Sequence, residues 1–216
     1  MIIHKPFQLA ASYTIGSYIL PGQRINTITE KLDTQVKVAI TSSYHIVEGV
    51  KSGKFDLGLI ESPIFDNQLI YKEWLEDELV ICSKVELPPF ITPELFRNYN
   101  LICRKKDSPT REMIHNFFKK CGISYSSFKS LSEIHNETAA IQSIKWAKPN
   151  SINPTVTIIS KYAIEDEVQR KELFQSHICN NDTLRHKFYI VYSQEKIKSD
   201  LVKSVINELG LMQNLF

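Results

Sequence analysis

The stretch AASYTIGSYILP (10–21), VKVAI (36–40), TSSYHIVEGV (41–50) and KSGKFDLGLIE (51–61) decides how this chain reads. Twice within it an apolar strand runs into a hydroxyl cluster that opens a helix. Ser12 and Thr14 follow FQLAA, and Thr41, Ser42 and Ser43 follow VKVAI. Unpaired N–H groups and partial positive charge collect at a helix N-terminus, so a hydroxyl-lined one can receive a small anion. Taken singly, each Ser or Thr reads best as a helix cap. Two such openings at the ends of neighbouring strands read better as one ligand site, because open α/β sheets bind ligands there. The pattern implies a receptor for a small molecule.

Working outward, Phe7, Leu9 and Ala11 alternate as a strand would. Pro21 is expected to start a helix with Ile25, Ile28 and Leu32 on one face. Tyr44–Ser52 predicts a helix with Ile46, Val47 and Val50 inward, stopped by Gly53, and FDLGLIE (55–61) a third strand. Strand and helix alternating with short joints imply a parallel α/β sheet. Two β-rich segments, 69–75 and 78–83, precede a turn at Pro88-Pro89. Thr92-Pro93 should cap a short helix to Asn98, and NLICRK (100–105) is a strand. Thr110–Cys121 is a helix with Ile114, Phe117, Phe118 and Cys121 on one face and Gly122 as its stop. A strand near 128–131 leads to Asn136, which should cap a helix carrying Ala140, Ile141, Ile144 and Ala147. KPNSINP (148–154) is a loop. VTIIS (156–160), a helix within 163–173, the strand LRHKFYIVYS (184–193) and a helix from about Glu195 to Leu209 follow. That last helix should turn Ile197, Leu201, Val202, Val205 and Leu209 inward and stop at Gly210.

A chain of 216 residues can bury roughly 70% of the surface of its unfolded form, enough for a core without disulfides or metal. Its net charge of +2 argues against nucleic-acid binding by these residues themselves. Cys82, Cys103, Cys121 and Cys179 are scattered without a CxxC pair, which favours reduced thiols and a cytoplasmic setting. The N-terminal apolar residues are interrupted by His4, Lys5, Gln8 and Ser12, unlike a secretory signal or a membrane span. The six histidines form no ligand set, so neither metal nor cofactor is expected. No nucleophile elbow, Walker loop or GxGxxG occurs, so the chain does not read as an enzyme.

The strand–hydroxyl–helix unit recurs at 100–121, around Lys106-Asp107-Ser108-Pro109-Thr110. Two α/β lobes are therefore expected, with the chain crossing between them near 76–84 and 184–193 and a ligand cleft between the lobes. The first lobe would comprise 1–76 and 186–216, the second 77–185.

These stretches, together with LEDELVIC, CRKKDSPTREMIHNFFKKCGI and LRHKFYIVYSQEKIKSDLVKSVINEL, resemble the effector-binding domain of LysR-type transcriptional regulators over nearly the whole chain. The resemblance implies two Rossmann-like lobes of the type II periplasmic-binding-protein kind, with mixed sheets joined by two crossover strands. Carried over by position, it implies effector contacts from Ser12 and Thr14, from Thr41, Ser42, Ser43 and Tyr44, from Ser108, Thr110 and Arg111, and from Asn136 and Thr138. Arg111 reads either as a solvated helix-start arginine, slightly favoured, or as a clamp on a carboxylate, sulfate or phosphate. Two departures stand out. KWAKPNSINPTVTIIS replaces a Gly-rich turn common in the family, and Tyr44 stands where a small hydroxyl residue is usual.

The resemblance further implies a small, anionic or carboxylated effector and side-by-side pairing into a homodimer through helices 44–52 and 136–147. Tetramers are expected of the full-length protein. DNA binding would belong to a winged helix-turn-helix that precedes this domain in the family, with Met1 beginning the regulatory part. A stand-alone solute-binding protein of the same fold is the alternative.

Overall fold

The computed structural model describes residues 5–62, 64–106, 108–178 and 183–212. Its strands are β1 (Phe7–Ala11), β2 (Val36–Ile40), β3 (Leu57–Ile60), β4 (Leu69–Ser83), β5 (Asn100–Arg104), β6 (Ser130–Ile134), β7 (Thr155–Ser160), β8 (Phe174–Ser176) and β9 (Arg185–Ser193). The α-helices are α1 (Gln23–Leu32), α2 (Ser43–Lys51), α3 (Pro109–Lys120), α4 (Glu137–Lys145), α5 (Glu165–Gln169) and α6 (Asp200–Met212). The chain divides into two compact units, one of Met1–Glu76 with His186–Phe216 and one of Asp77–Arg185.

In the first unit β1 lies between β2 and β3, parallel to both, with Ala11 opposite Ile40 and Leu59. β9 closes the other side of β3 in antiparallel register. α2 buries Ile46, Val47 and Val50, which cluster with Ala10, Phe55, Ile60 and Val191. α1 packs on α6, where Ile28, Val202, Val205 and Leu209 are fully buried. The buried Trp74 indole donates to the Leu209 carbonyl at 2.8 Å, tying the start of β4 to that helix.

Gly58 is where α2 comes closest to the sheet. A Cβ there would fall on the Ile46 side chain and 2.7 Å from Val191. Gly58→Ala is expected to lower unfolding stability by about 1–3 kcal/mol through overpacking, read as a shift in the urea midpoint at constant slope.

The second unit repeats the plan. β5 lies between β6 and β7, parallel to both, and the second half of β4 adds antiparallel to β7, with Leu79 opposite Ser160. Its core is aromatic: Phe96, Phe117, Phe118, Phe128 and Tyr99 pack with Leu101, Ile114 and Ile158. In both units the chain builds the middle strand first, then a neighbour on one side, then one on the other. That reversal is the topological switch point where α/β sheets leave a crevice at the strands' carboxyl ends.

Several elements depart from expectation. Pro21 sits in a turn and α1 starts two residues later, because Gly22 adopts φ 76° and only then does the chain enter the helix. The segments 69–75 and 78–83 are one continuous strand. β6 begins at Ser130 rather than near 128, since Phe128 is drawn into the aromatic core. Ala147 lies beyond α4, which ends at Lys145. The helix expected from Glu195 breaks at Ser199 (ψ 122°), separating a turn at Gln194–Lys198 from α6. The break resets the helical phase, so Ile197 and Leu201, counted inward, are 47% and 41% exposed. Gly210 does not stop α6, which runs to Met212. β8 pairs with β4 through Ile81 and Ser176 and was not foreseen. Cys82 and Cys103 are buried free thiols and Cys121 is half-buried and free; Cys179 and Asp107 lie outside the described residues.

Candidate functional site

The hydroxyl residues of the first unit gather at the carboxyl ends of its parallel strands. Ser12 follows β1 directly and its N–H donates to the Leu59 carbonyl of β3 at 2.9 Å. Its side chain is fully buried, and Oγ has no hydrogen-bond partner. Thr14 is 7% exposed within a tight helical segment that continues as a π-type turn at Ile15–Ile19. Thr41 joins β2 to α2, its N–H donating to the Ala11 carbonyl at 3.1 Å. Ser42 caps α2 by accepting from the His45 N–H, and its hydroxyl also meets His45 Nδ1 at 2.9 Å. Ser43 is buried and Tyr44 is 59% exposed.

In the second unit Ser108 caps α3 by accepting the Arg111 N–H at 3.2 Å, and Thr110 follows, half-buried, in the first turn. Asn136 caps α4 through the Ala139 N–H at 2.7 Å. Thr138 is exposed, whereas Glu137 beside it is buried. Ser42, Ser108 and Asn136 thus spend an oxygen on capping, as single-residue reasoning expects. Each cap satisfies one of the four orphan N–H groups of its helix and leaves others to a ligand.

Arg111 corrects the favoured expectation of a solvated arginine. It is 6% exposed. Nη1 donates to the Arg104 carbonyl at 2.9 Å, and the guanidinium lies 3.7 Å from the centre of the Tyr125 ring. Tyr125 returns a hydrogen bond from its hydroxyl to the Arg111 carbonyl at 3.3 Å. Burial pushes the Tyr125 phenol up to about 12, against a smaller lowering by Arg111. An unfolded tyrosine ionises near 10.0, so stability that is whole below pH 10 is lost as pH climbs from 10 toward 12. Alkaline unfolding of Tyr125→Phe should show less of this loss over the same interval.

Sequence reasoning missed Ser160. It ends β7, is 1% exposed, and its Oγ also has no partner. It precedes a helical turn without capping it. The signal was present in TVTIIS-KYAI, another strand running into a hydroxyl and a helix. Arg104, at the end of β5, carries a buried Nε without a partner.

The first unit also has a hollow of about 670 Å³ lined by Lys51, Gly53, Gln68, Ser193 and Lys196. It lies at the opposite end of the sheet, beyond the last turn of α2. Its cations are engaged, Lys51 with Asp66 at 2.7 Å and Lys196 with Asp56 at 2.5 Å. We therefore do not assign the ligand there. Among the described residues no cluster of His, Cys, Asp and Glu could hold a metal. Burial raises the Cys82 thiol to about 12, which makes it a poor nucleophile. No helix among the described residues is long and apolar enough to cross a membrane.

Residues 4–145 match the family model described as the LysR substrate binding domain. The chain belongs to that family. Among curated proteins it is 26% identical over 190 residues to the HTH-type transcriptional regulator CysL of Bacillus subtilis (strain 168), covering 86% of this chain and 60% of that one. It thus spans about 60% of that relative's length. Among solved structures, the effector-binding domain of QuiR in complex with shikimate superposes with a TM-score of 0.73 at 15% identity, over 98% of each chain. The regulatory domain of CcmR from Synechocystis PCC6803 in complex with 2-PG gives 0.73 at 19% identity, over 96% of this chain and 97% of that one. These likenesses establish the fold of LysR effector-binding domains, mixed α/β with two lobes of the periplasmic-binding kind.

Proposed function

We propose that this domain senses a small anionic metabolite, with residues of both units taking part, and relays its presence to a DNA-binding part of the full-length regulator. The observation that carries the reading is the pair Ser12 and Ser160. Each stands at the carboxyl end of a parallel strand at its unit's switch point, buried, with a hydroxyl that no protein group uses. A buried hydroxyl without a partner costs about 1–3 kcal/mol, a cost that a ligand oxygen would remove. Thr14, Thr41, Ser43 and Tyr44 in the first unit, and Thr110 and Thr138 in the second, surround the helix starts whose spare N–H groups would hold the anion. Ser42, Ser108 and Asn136 shape those starts as caps, with Arg111 behind them.

Shikimate and 2-PG, the ligands of the two structural relatives, are consistent with this class. The domain would act by binding, without turnover, by favouring one conformation of the regulator over another. A cytoplasmic setting goes with that role. Homodimers would form through α2 and α4, where Tyr44 on α2 and Trp146 just after α4 are 59% and 85% exposed, with tetramers in the full-length protein. Sedimentation that finds only monomers at high concentration would refute the pairing.

The sensing role is tested by thermal shift against a panel of carboxylates, phosphorylated metabolites and inorganic anions. At least one should stabilise the domain in a saturable way. A panel with no hit, or a stabilisation that Thr14→Ala and Thr110→Ala both leave intact, would defeat the assignment.

A further inference from the structure

We propose that the first unit carries a second ligand site, for a small aliphatic amine, in the hollow beyond the last turn of α2. At about 670 Å³ the hollow lies within the usual range of small-molecule pockets. An anion gains little there, because both lysines are already paired. The same pairing opens the hollow to a cation. The site lies wholly within the first unit and goes beyond the sensing role proposed above.

The central observation is the balance of charge. Lys51 meets Asp66 at 2.7 Å and Lys196 meets Asp56 at 2.5 Å, so each lysine is neutralised where it stands. The hydrogen bond between Lys51 and Asp66 raises the pKa of the lysine and lowers that of the carboxyl, which keeps both ionised and turned to each other. Glu195 is left over. It lines the hollow and is exposed, and among the described residues its carboxylate has no partner. α2 ends at the same wall with Lys51, followed by Ser52 and Gly53. The Glu48, Gly49 and Val50 carbonyls are taken by the N–H groups of Ser52, Phe55 and Gly53. Those of Lys51 and Ser52 accept none among the described residues. The negative end of the helix dipole thus adds to the Glu195 charge. Such a surface favours an ammonium, which donates hydrogen bonds and accepts none.

The rest of the lining sets the ligand class. Val50 and Leu69, both buried, bring the edge of the core to the hollow, and apolar walls suit methylene groups. Asn67, Gln68 and Gln194 line it with exposed side-chain amides that bond to nothing among the described residues. Amides both donate and accept, so they tolerate either a neutral or an ammonium end on the ligand. A bare metal ion finds no set of His, Cys, Asp and Glu ligands among the described residues. A short alkyl chain ending in an ammonium group fits all of these features.

Calorimetric titration of the intact chain with putrescine, and separately with butylamine, tests this. Butanediol controls for the uncharged skeleton and sodium chloride for ionic strength. Saturable, one-to-one binding of putrescine is expected, with none of the diol. Equal binding of butylamine would support a site for one ammonium, and weaker binding a site that holds both ends of the diamine. Glu195→Gln keeps the size of an exposed side chain and removes its charge, so the fold is spared. It should weaken putrescine about ten-fold, the loss of a hydrogen bond to a charged group. Ser12→Ala should leave the affinity unchanged, which separates this site from the effector loops. No saturable heat above the controls, a diol that binds as tightly as the diamine, or an affinity indifferent to Glu195→Gln would overturn the proposal. Loss of putrescine binding in Ser12→Ala alone would overturn it too, by moving the amine to the effector loops.

Discussion

Phe96→Ala is expected to cost about 3–5 kcal/mol of unfolding stability, enough to take much of the margin of a natural domain. Phe96 is fully buried, and its ring centre is 4.7 Å from that of Phe128 and 6.0 Å from that of Phe118. Tyr99 adds an edge-on contact at 6.1 Å. Truncation removes the transfer energy of a whole ring and leaves a cavity whose walls are themselves rings, fixed by strands and α3. Such walls collapse poorly, so the upper part of the range is expected. Phe96→Leu should recover most of the loss. Urea unfolding followed by tyrosine fluorescence measures both, and a cost below about 1 kcal/mol for the alanine variant would mean that this cluster does not organise the second unit.

The second large effect is a dissociation between stability and binding. Ser12→Ala combined with Ser160→Ala removes two buried hydroxyls that bond to nothing in the protein. Thermal stability without ligand should stay the same or rise slightly, because the desolvated groups are gone. Affinity for the effector found in the anion screen should fall about a hundred-fold, taking roughly 1–1.5 kcal/mol for each hydroxyl that bonds the ligand. Opposite behaviour, a destabilised apo domain that binds its effector normally, would show both serines to be structural.

Much of this was open to sequence reading. The alternation of FQLAA, the inward face Ile46, Val47 and Val50, the caps Ser42 and Asn136, and the stops Gly53 and Gly122 are local events. Each depends on residues within a turn or two, and each forms as read. The failures are also instructive. Gly22 delayed α1, and Ser199 broke the final helix and inverted the burial of Ile197 and Leu201. In both places a short-range backbone choice outweighed a longer hydrophobic period.

The hydroxyl-bearing helix starts were visible in the sequence, but their individual duties were not. Ser42, Ser108 and Ser12 look alike as letters. Two are spent on capping and one is left with no partner, a difference set by where the first turn of each helix points its N–H groups. Arg111 is the sharpest instance. Its position after Ser108-Pro109-Thr110 marked it as either solvated or anion-binding, and burial came from Tyr125, fourteen residues away in the chain.

What the amino-acid order determined alone was most of the strands, helices and caps, since periodicity and propensity act over one or two turns of chain. Only the tertiary structure decided which hydroxyls stay unsatisfied and which cation is stripped of water. Those properties depend on what the folded chain packs against each atom, and that packing brings together residues the sequence keeps far apart.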